Sequence, residues 1–212
     1  MKKLITTALF LLAGVHLVVA QKKATKEKEE PVREKITIGA KFPQQEFNLT
    51  SFDGTKVPAQ SLKPKSGLLL IFSCNTCPYV IKAQERTRMV IEMAKERGIV
   101  VVIINSNEAQ RDNEDAPQAM KLYAQEQGYD VPYLIDGGSA LADALGATRT
   151  PEVFLFDKGN HLVYMGAMED NPSNPSESKT IYIENAINAM LKGEKPDPSV
   201  TRSVGCTIKR VK

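Results

Sequence analysis

The stretch that decides the fold runs from Leu68 to Val80 and reads LLLIFSCNTCPYV. It opens with an apolar run typical of a strand that is buried on both faces. The segment from Tyr79 to Arg97 then has helical periodicity, and Gly98 is placed to end it. Cys74 and Cys77 therefore lie at a predicted strand-to-helix turn. A helix N-terminus carries partial positive charge and unpaired N–H groups, so it stabilises a thiolate, the form of cysteine that attacks disulfides, peroxides and metals.

The remaining hydrophobic pattern predicts an α/β protein. The segment from Ile99 to Ile104 is a second buried strand, so the two strands and the helix between them form a βαβ unit. Asp53-Gly54 separates two short strand-like segments and predicts an N-terminal β-hairpin. We therefore expect a central mixed sheet flanked by helices, with that hairpin as an extension. The other predicted elements are a strand at 133–135, a hairpin of strands at 153–156 and 161–165, and helices at 114–127, 139–145 and 178–192.

The two ends of the chain differ in composition from the predicted domain, which spans residues 36–193. Residues 1–20 begin with two lysines, continue as an apolar stretch and end with small residues at Val18 and Ala20, which is typical of a bacterial signal peptide cleaved after Ala20. Residues 21–35 carry mixed charges without aromatic side chains and are interpreted as a solvated tether. Residues 194–212 form a tail, expected to be irregular, that carries Cys206. The mature protein is therefore predicted to be exported, either periplasmic or secreted.

The charge balance argues against two classes of partner. Removing Lys2 and Lys3 with the signal peptide leaves 26 of the 28 basic residues against 25 acidic ones. This near-neutral balance gives no electrostatic reason to expect nucleic acid or an acidic membrane surface as a partner. No segment after the signal peptide is long and apolar enough for a stable membrane span.

The chain has three cysteines, and their spacing favours redox chemistry over structural bridging. A structural disulfide gains most when it closes a long loop, whereas the spacing of Cys74 and Cys77 closes almost none. Cys206 is open to two interpretations. It could return to the active site as a third thiol that relays oxidation from the pair, or it could be a buried or spare thiol where the tail docks.

Together these features resemble the thioredoxin superfamily and, within it, the redoxins, the group that holds peroxiredoxins and exported TlpA-like and ResA-like oxidoreductases. The chain is most similar to a peroxiredoxin-like subgroup in which a CxxC motif precedes Pro-Tyr-Val. The resemblance covers nearly all of the chain from Ile38 onward. Its motifs are CNTCPYV at 74–80, ATRTPE at 147–152, GAMEDN at 166–171 and GCTIK at 205–209.

The resemblance implies a thioredoxin-like fold in which Pro151 follows a cis peptide bond and faces the cysteines. It implies that Cys74 is the exposed nucleophile and Cys77 the buried resolving thiol. It also implies that the backbone of Thr150 pairs with an extended segment of a protein substrate. The residues expected to modulate this site are Asn75, Thr76, Pro78, Arg149 and Glu152. The resemblance places Glu152, Glu169 and Asp170 nearest the mouth of the site, where each is either a solvated loop carboxylate or an acid that helps to deprotonate Cys77.

Two departures from the family patterns bear on activity. Peroxiredoxins carry a hydroxyl residue three positions before the peroxidatic cysteine, but that position is Ile71 counted from Cys74 and Cys74 counted from Cys77. Efficient peroxidase chemistry is therefore not expected. The subgroup often has histidine where Thr76 stands, and histidine would stabilise a thiolate and make the disulfide more oxidising. Thr76 therefore predicts a moderately reducing pair, nearer thioredoxin at about −270 mV than strong oxidants at about −120 mV.

The predicted function is an exported thiol–disulfide oxidoreductase that acts on protein thiols and disulfides. No bound cofactor is expected, so electrons must come from an external thiol donor. A thiol peroxidase that uses the same cysteines is the alternative. A copper-handling protein with Met165, Met168 or Cys206 as soft ligands, and a non-catalytic binding module, are the third choices. A resident structural metal is not expected, because the chain lacks a set of four ligands.

Overall fold

The computed structural model describes residues 34–43, 47–62 and 64–211. The predicted signal peptide and most of the predicted tether lie outside the described residues. Among the residues that are described, none of the helices has both the length and the apolar character needed to cross a membrane.

A six-stranded mixed sheet forms the centre of the domain, as predicted. Its strand order is β1-β4-β3-β2-β6-β7, and a separate pair is formed by β5 and β8. Strands β2, β3 and β4 run parallel, whereas β6 pairs antiparallel with β2, and β7 pairs antiparallel with β6. The strands are β1 (Leu49–Thr50), β2 (Gly67–Ser73), β3 (Ile99–Asn105), β4 (Tyr133–Asp136), β5 (Arg149–Thr150), β6 (Glu152–Asp157), β7 (Leu162–Gly166) and β8 (Cys206–Thr207).

The helices pack on both faces of this sheet. They are α1 (Pro78–Lys82), α2 (Gln84–Glu96), α3 (Pro117–Glu126), α4 (Ala140–Leu145) and α5 (Tyr182–Leu191). Apolar residues of α2, α3 and α5 join one core cluster, and those of α4 join the other. The single helix predicted over residues 79–97 is divided, because the backbone at Ala83 leaves the helical region with φ −86° and ψ 3°.

The central strand explains why its sequence is an unbroken apolar run. Strand β2 lies between β3 and β6, so both of its faces are covered. Leu69 and Ile71 belong to the cluster that also contains Cys74 and Cys77. Side chains alternate along a strand, so Phe72 and its neighbours two and four residues earlier pack into the opposite cluster.

Two predicted elements differ from the structure. The N-terminal hairpin around Asp53-Gly54 is reduced to a bridge between Thr50 and Lys56, because β1 joins the edge of the main sheet beside β4. The tail was expected to be irregular, but it contains β8, which pairs with β5. Ile208 anchors this part of the tail, since its side chain is only 3% exposed and packs in the cluster on the α4 face.

Candidate redox site

The cysteine pair lies where the sequence predicted it, between β2 and α1. Strand β2 ends at Ser73, and Cys74 follows at once. Helix α1 begins at Pro78, whose missing N–H costs nothing in the first turn, and Cys77 is its N-cap residue. Cys77, rather than Cys74, is therefore the cysteine next to the helix N-terminus.

Both cysteines are buried, which corrects the expectation of an exposed Cys74. The exposed fraction is 2% for Cys74 and 4% for Cys77. The segment that follows β3 binds the CxxC turn: Asp115 Oδ1 accepts the backbone N–H of Asn75 at 2.9 Å, and the carbonyl oxygen of Glu114 accepts its side-chain amide at 2.7 Å. Cys74 is buried because this distant segment of the chain holds the turn that carries it.

A buried polar network surrounds Asp115. Its carboxylate also accepts hydrogen bonds from the side-chain amides of Asn105 at 2.8 Å and Asn107 at 2.9 Å. The Tyr133 hydroxyl accepts a bond from Asn105 and donates one to Asn75 Oδ1, each at 3.0 Å. Because Asn75, Asn105, Asn107, Asp115 and Tyr133 all have hydrogen-bond partners within it, the network can fix the CxxC turn.

The two thiols of the pair affect each other's ionisation. Hydrogen bonds, above all the one from Cys74 and then those from Cys206 and the backbone of Val80, together lower the pKa of Cys77 to about 4 against the opposing effect of burial. The same Cys74–Cys77 bond, and then burial, raises the pKa of Cys74. This hydrogen bond therefore favours a thiolate on Cys77 over one on Cys74.

Thr150 contacts both cysteines. Its hydroxyl lies 3.4 Å from the Cys74 sulfur, and its carbonyl oxygen lies 3.3 Å from the Cys77 sulfur, where it accepts a hydrogen bond when Cys77 is protonated. The Thr150–Pro151 peptide bond is cis, as the resemblance implied. The backbone of Thr150, however, is already paired with the chain's own tail, because Thr150 lies opposite Cys206 in the β5–β8 pair. The expected open edge for a substrate strand is therefore occupied.

Cys206 returns to the site through this pairing. It is half-buried, packs against the cluster that contains Cys74 and Cys77, and is a free thiol like them. Burial, followed by its hydrogen bond to Cys77, raises the pKa of Cys206 to about 11. Cys206 therefore lies beside the redox pair at the place where the tail docks, an arrangement compatible with both interpretations of this residue.

The predicted modulators fall into three groups. Asn75 is buried in the polar network, whereas Thr76 and Pro78 are exposed on the turn. Arg149 is exposed and donates to the tail, at 3.4 Å to the Gly205 carbonyl oxygen and 3.1 Å to the Thr207 hydroxyl.

Glu152 does not face the cysteines, which corrects the expectation that it acts on Cys77. On strand β6 it has the same parity as Phe154, and Phe154 packs in the opposite core cluster. Its fully buried carboxylate accepts hydrogen bonds from the Lys35 ammonium at 2.7 Å, the Ser203 hydroxyl and the backbone N–H groups of Thr148 and Arg149. Glu152 therefore fastens the tail and the start of the domain to the sheet.

The sequence motifs did not include Asp115 and Asn105, which take part in the polar network that binds the CxxC turn. One signal could have found Asn105: it ends the second buried strand, and parallel strands place their carboxyl ends at the same sheet edge as the CxxC turn. Asp115 carried no such signal, because it lies in the loop before α3. Among the residues described, no three or more His, Cys, Asp and Glu side chains are grouped to hold a metal ion.

Known proteins share this architecture. ResA of Bacillus thuringiensis (strain Al Hakam), a thiol-disulfide oxidoreductase, is 27% identical over 131 residues, which cover 62% of this chain and 70% of ResA. The crystal structure of a hypothetical protein from Sinorhizobium meliloti 1021 is similar at a TM-score of 0.74 with 31% identity, covering 84% of this chain and 97% of that chain. The solution structure of a thioredoxin-like protein in the oxidised form matches at a TM-score of 0.57 with 20% identity, over 75% of this chain and 99% of that one, which shows the thioredoxin-like fold.

A protein-family profile matches the part of the chain that carries most of these features. The sequence profile of the Redoxin family matches residues 37–182, a range that includes the CxxC turn, the cis peptide bond before Pro151 and every strand of the main sheet. That match covers well over half of the 212 residues and confirms the resemblance drawn from the motifs. By fold, site and sequence profile, the chain belongs to the redoxin family.

Proposed function

We propose that this protein is an exported thiol–disulfide oxidoreductase in which Cys74 and Cys77 alternate between a dithiol and a disulfide. The observation that carries the proposal is the hydrogen-bonded thiol pair at the N-terminus of α1, with the Cys77 pKa lowered by the Cys74 thiol. A thiolate already formed at neutral pH is the reactive species in disulfide exchange. The similarity to ResA, a thiol-disulfide oxidoreductase, supports the same chemistry.

The exchange needs no bound cofactor. A thiolate of the pair attacks a substrate disulfide, so that a mixed disulfide forms and one substrate thiolate leaves. The second cysteine of the pair then attacks the mixed disulfide, releases the other substrate thiolate and closes the Cys74–Cys77 bond. Two electrons pass to the substrate, and an external thiol donor returns them to the pair.

The order of attack distinguishes two assignments. Sequence reasoning makes Cys74 the attacking thiol, whereas the lowered pKa of Cys77 and its place at the helix terminus favour Cys77. The two single variants separate these assignments, because only the cysteine that attacks first can hold a mixed disulfide when its resolving partner is gone. If Cys77 attacks first, Cys74→Ser will accumulate mixed disulfides between Cys77 and a disulfide-containing protein substrate, and Cys77→Ser will accumulate none at Cys74.

The proposed oxidoreductase function is tested by measuring the redox state of the Cys74–Cys77 pair and the activity that depends on it. Purified protein equilibrated with glutathione buffers should form the Cys74–Cys77 disulfide reversibly and should catalyse reduction of insulin by dithiothreitol. A Cys74→Ser, Cys77→Ser double variant serves as the control without the pair. Equal turnover by the double variant, or no reversible Cys74–Cys77 disulfide, would make the chain a binding module in which the motif merely persists.

A peroxidase remains the second candidate because of one contact. The Thr150 hydroxyl lies 3.4 Å from the Cys74 sulfur, although no hydroxyl residue stands at the sequence position where peroxiredoxins have one. The raised pKa of Cys74 opposes that role, since the protonated thiol does not attack peroxide. Rapid oxidation of the reduced protein by hydrogen peroxide that is lost in Cys74→Ser would favour the peroxidase, and a rate like that of an ordinary free thiol would leave disulfide exchange.

The proposal that the protein is exported depends on residues 1–20. Their basic start, apolar stretch and final small residues resemble a signal peptide. Expression of the full chain with a C-terminal tag in a bacterium, followed by fractionation and N-terminal sequencing, tests it. A mature N-terminus at Gln21 outside the cytoplasm is expected. Retention of Met1 on a cytoplasmic protein would contradict export.

A further inference from the structure

The tail crosses the redox site along a path fixed by several contacts. The tail is bound to the edge strand β7 through Met165, whose carbonyl oxygen accepts the Thr201 N–H at 3.0 Å and whose N–H donates to the Ser199 carbonyl oxygen at 3.1 Å. Beyond Cys206, the Ile208 N–H donates to the Thr148 carbonyl oxygen, and Lys209 binds the loop after β3 through Asn107. Cys206 lies between these anchors, so its position against the site is held from both sides.

The tail approaches the active-site backbone more closely than any residue but glycine allows. A Cβ atom added to Gly205 would lie 2.1 Å from the carbonyl oxygen of Thr150 and 2.7 Å from its carbonyl carbon. Both are backbone atoms, which cannot turn aside as a flexible side chain can. Gly205 therefore allows the register in which Cys206 lies opposite Thr150.

The three thiols differ in their access to solvent. Cys74 and Cys77 are 2% and 4% exposed, whereas Cys206 is only half-buried. The strand edge at Thr150, where an extended substrate would pair, is occupied by β8. A disulfide from solution therefore meets Cys206 before it meets the buried pair.

We propose that Cys206 is the entry thiol of the enzyme, which exchanges with disulfides from solution and passes oxidation to Cys77. The proposal rests on the proposed oxidoreductase function and names its substrate class: disulfides that reach a half-buried surface cysteine, rather than extended protein strands bound along Thr150. Cys206 is a catalytic residue in this scheme, because it forms a bond with the substrate.

The relay balances in three steps. Cys206 gives up its proton and its thiolate attacks an external disulfide, so that the Cys206–substrate bond forms, the substrate disulfide breaks, and the first substrate thiolate leaves and takes up that proton. The Cys77 thiolate attacks the Cys206 sulfur, forms a Cys77–Cys206 disulfide and releases the second substrate thiolate. Cys74 attacks the Cys77 sulfur, closes the Cys74–Cys77 disulfide and gives its proton to the departing Cys206 thiolate. Two electrons leave the pair, and Cys206 ends as it began.

The test follows oxidation of the reduced protein by oxidised glutathione, with acid quenching and peptide mapping of each cysteine. We expect Cys206→Ser to form the Cys74–Cys77 disulfide at least about tenfold more slowly than the unaltered protein, because glutathione has lost its accessible thiol. The exposed tail variant Arg202→Ala should react at the unaltered rate. In Cys77→Ser, glutathione should accumulate on Cys206.

Two outcomes would overturn the relay alone. They are oxidation of Cys206→Ser at the unaltered rate, and glutathione found on Cys74 rather than Cys206 in Cys77→Ser. If the unaltered protein never forms a Cys74–Cys77 disulfide, the proposed function itself fails, so the two failures are distinguishable. The equilibrium potential of the pair in Cys206→Ser should stay close to that of the unaltered protein, because serine keeps a hydroxyl donor beside Cys77 and Cys206 ends each cycle as a thiol.

A second variant tests the position of Cys206 rather than its presence. Gly205→Ala keeps the thiol but forces the tail away from Thr150. We expect glutathione to join Cys206 as before and the subsequent transfer to Cys77 to slow, so that the Cys206–glutathione adduct accumulates. Unchanged transfer in Gly205→Ala would show that the register opposite Thr150 does not couple the two thiols.

Discussion

The carboxylate of Asp115 accepts the backbone N–H of Asn75 at 2.9 Å and so joins the loop after β3 to the CxxC turn, 40 residues earlier in the chain. Asp115 is fully buried, and the amides of Asn105 and Asn107 donate to it as well. This one side chain therefore ties the turn that carries Cys74 to the end of the neighbouring parallel strand.

Asp115→Asn should destabilise the reduced protein. One amide group replaces a carboxylate oxygen, so a buried donor in the network is left facing another donor, which costs about 1–3 kcal/mol. The measurement is the free energy of unfolding by urea. Loss of this hydrogen-bond network should also loosen the CxxC turn and so raise the rate at which iodoacetamide modifies Cys74. Glu114→Gln is the matched control, because this neighbouring side chain is exposed and only its carbonyl oxygen contacts Asn75. Equal stability and reactivity in both variants would contradict the role of Asp115.

The pH dependence of the thiolate absorbance shows which cysteine carries the thiolate. The Cys77 pKa is lowered to about 4 mainly by the hydrogen bond from Cys74, so the deprotonated form dominates at every pH above that value. The thiolate absorbance of the reduced protein should stay level from about pH 8 to about pH 5 and fall below that, whereas an ordinary thiol with a pKa of about 8.5 would lose it across this range.

Two substitutions of Cys74 serve as a matched pair for this titration. Cys74→Ala removes the donor and should raise the midpoint, whereas Cys74→Ser keeps a hydroxyl donor and should raise it less. The Cys77→Ser variant should lose the absorbance at low pH. If instead Cys77→Ser keeps that absorbance, the thiolate belongs to Cys74, as the sequence pattern first indicated.

Local patterns in the sequence predicted the framework of the site well. The apolar run before Cys74 and the helical periodicity after Cys77 depend only on neighbouring residues, so the strand-to-helix turn could be found from them. The Thr-Pro step could be found from its motif. These features set the fold and the place of the cysteines, and the structure has both as expected.

The surroundings of the cysteines depend on contacts between distant segments, and these were not predictable. The family resemblance implied an exposed Cys74, but Cys74 is only 2% exposed, and the neighbouring Asn75 is bound by residues 39 and 40 positions away. Thr150 was expected to be an open edge, but a residue 56 positions later occupies it. A tail with two prolines has no hydrophobic periodicity, so its two-residue strand leaves no pattern to detect.

Glu152→Gln separates a structural role from a catalytic one. The fully buried carboxylate accepts four hydrogen bonds from the tail, from Lys35 and from two backbone groups, so the neutral amide should cost about 1–3 kcal/mol in the free energy of unfolding. The redox potential of the cysteine pair should not change, because Glu152 faces the opposite core cluster. Glu177→Gln, at an exposed site, should change stability by less than about 0.5 kcal/mol. A shifted potential in Glu152→Gln at unchanged stability would restore the role that sequence reasoning gave it.

Thr76→His tests what sets the redox potential. Thr76 is exposed on the turn beside Cys77, so an imidazole there has room and stays in contact with solvent. A protonated histidine would stabilise the Cys77 thiolate and with it the reduced form, so the potential should rise by at least about 30 mV, equivalent to 1.4 kcal/mol for this two-electron couple. Equilibration with glutathione buffers measures it, and the rise should shrink above about pH 7.5 as the histidine loses its charge. Thr76→Gln, with a neutral polar side chain, should leave the potential near its original value. An unchanged potential in Thr76→His, or an equal rise in Thr76→Gln, would mean that charge at this position does not control the pair.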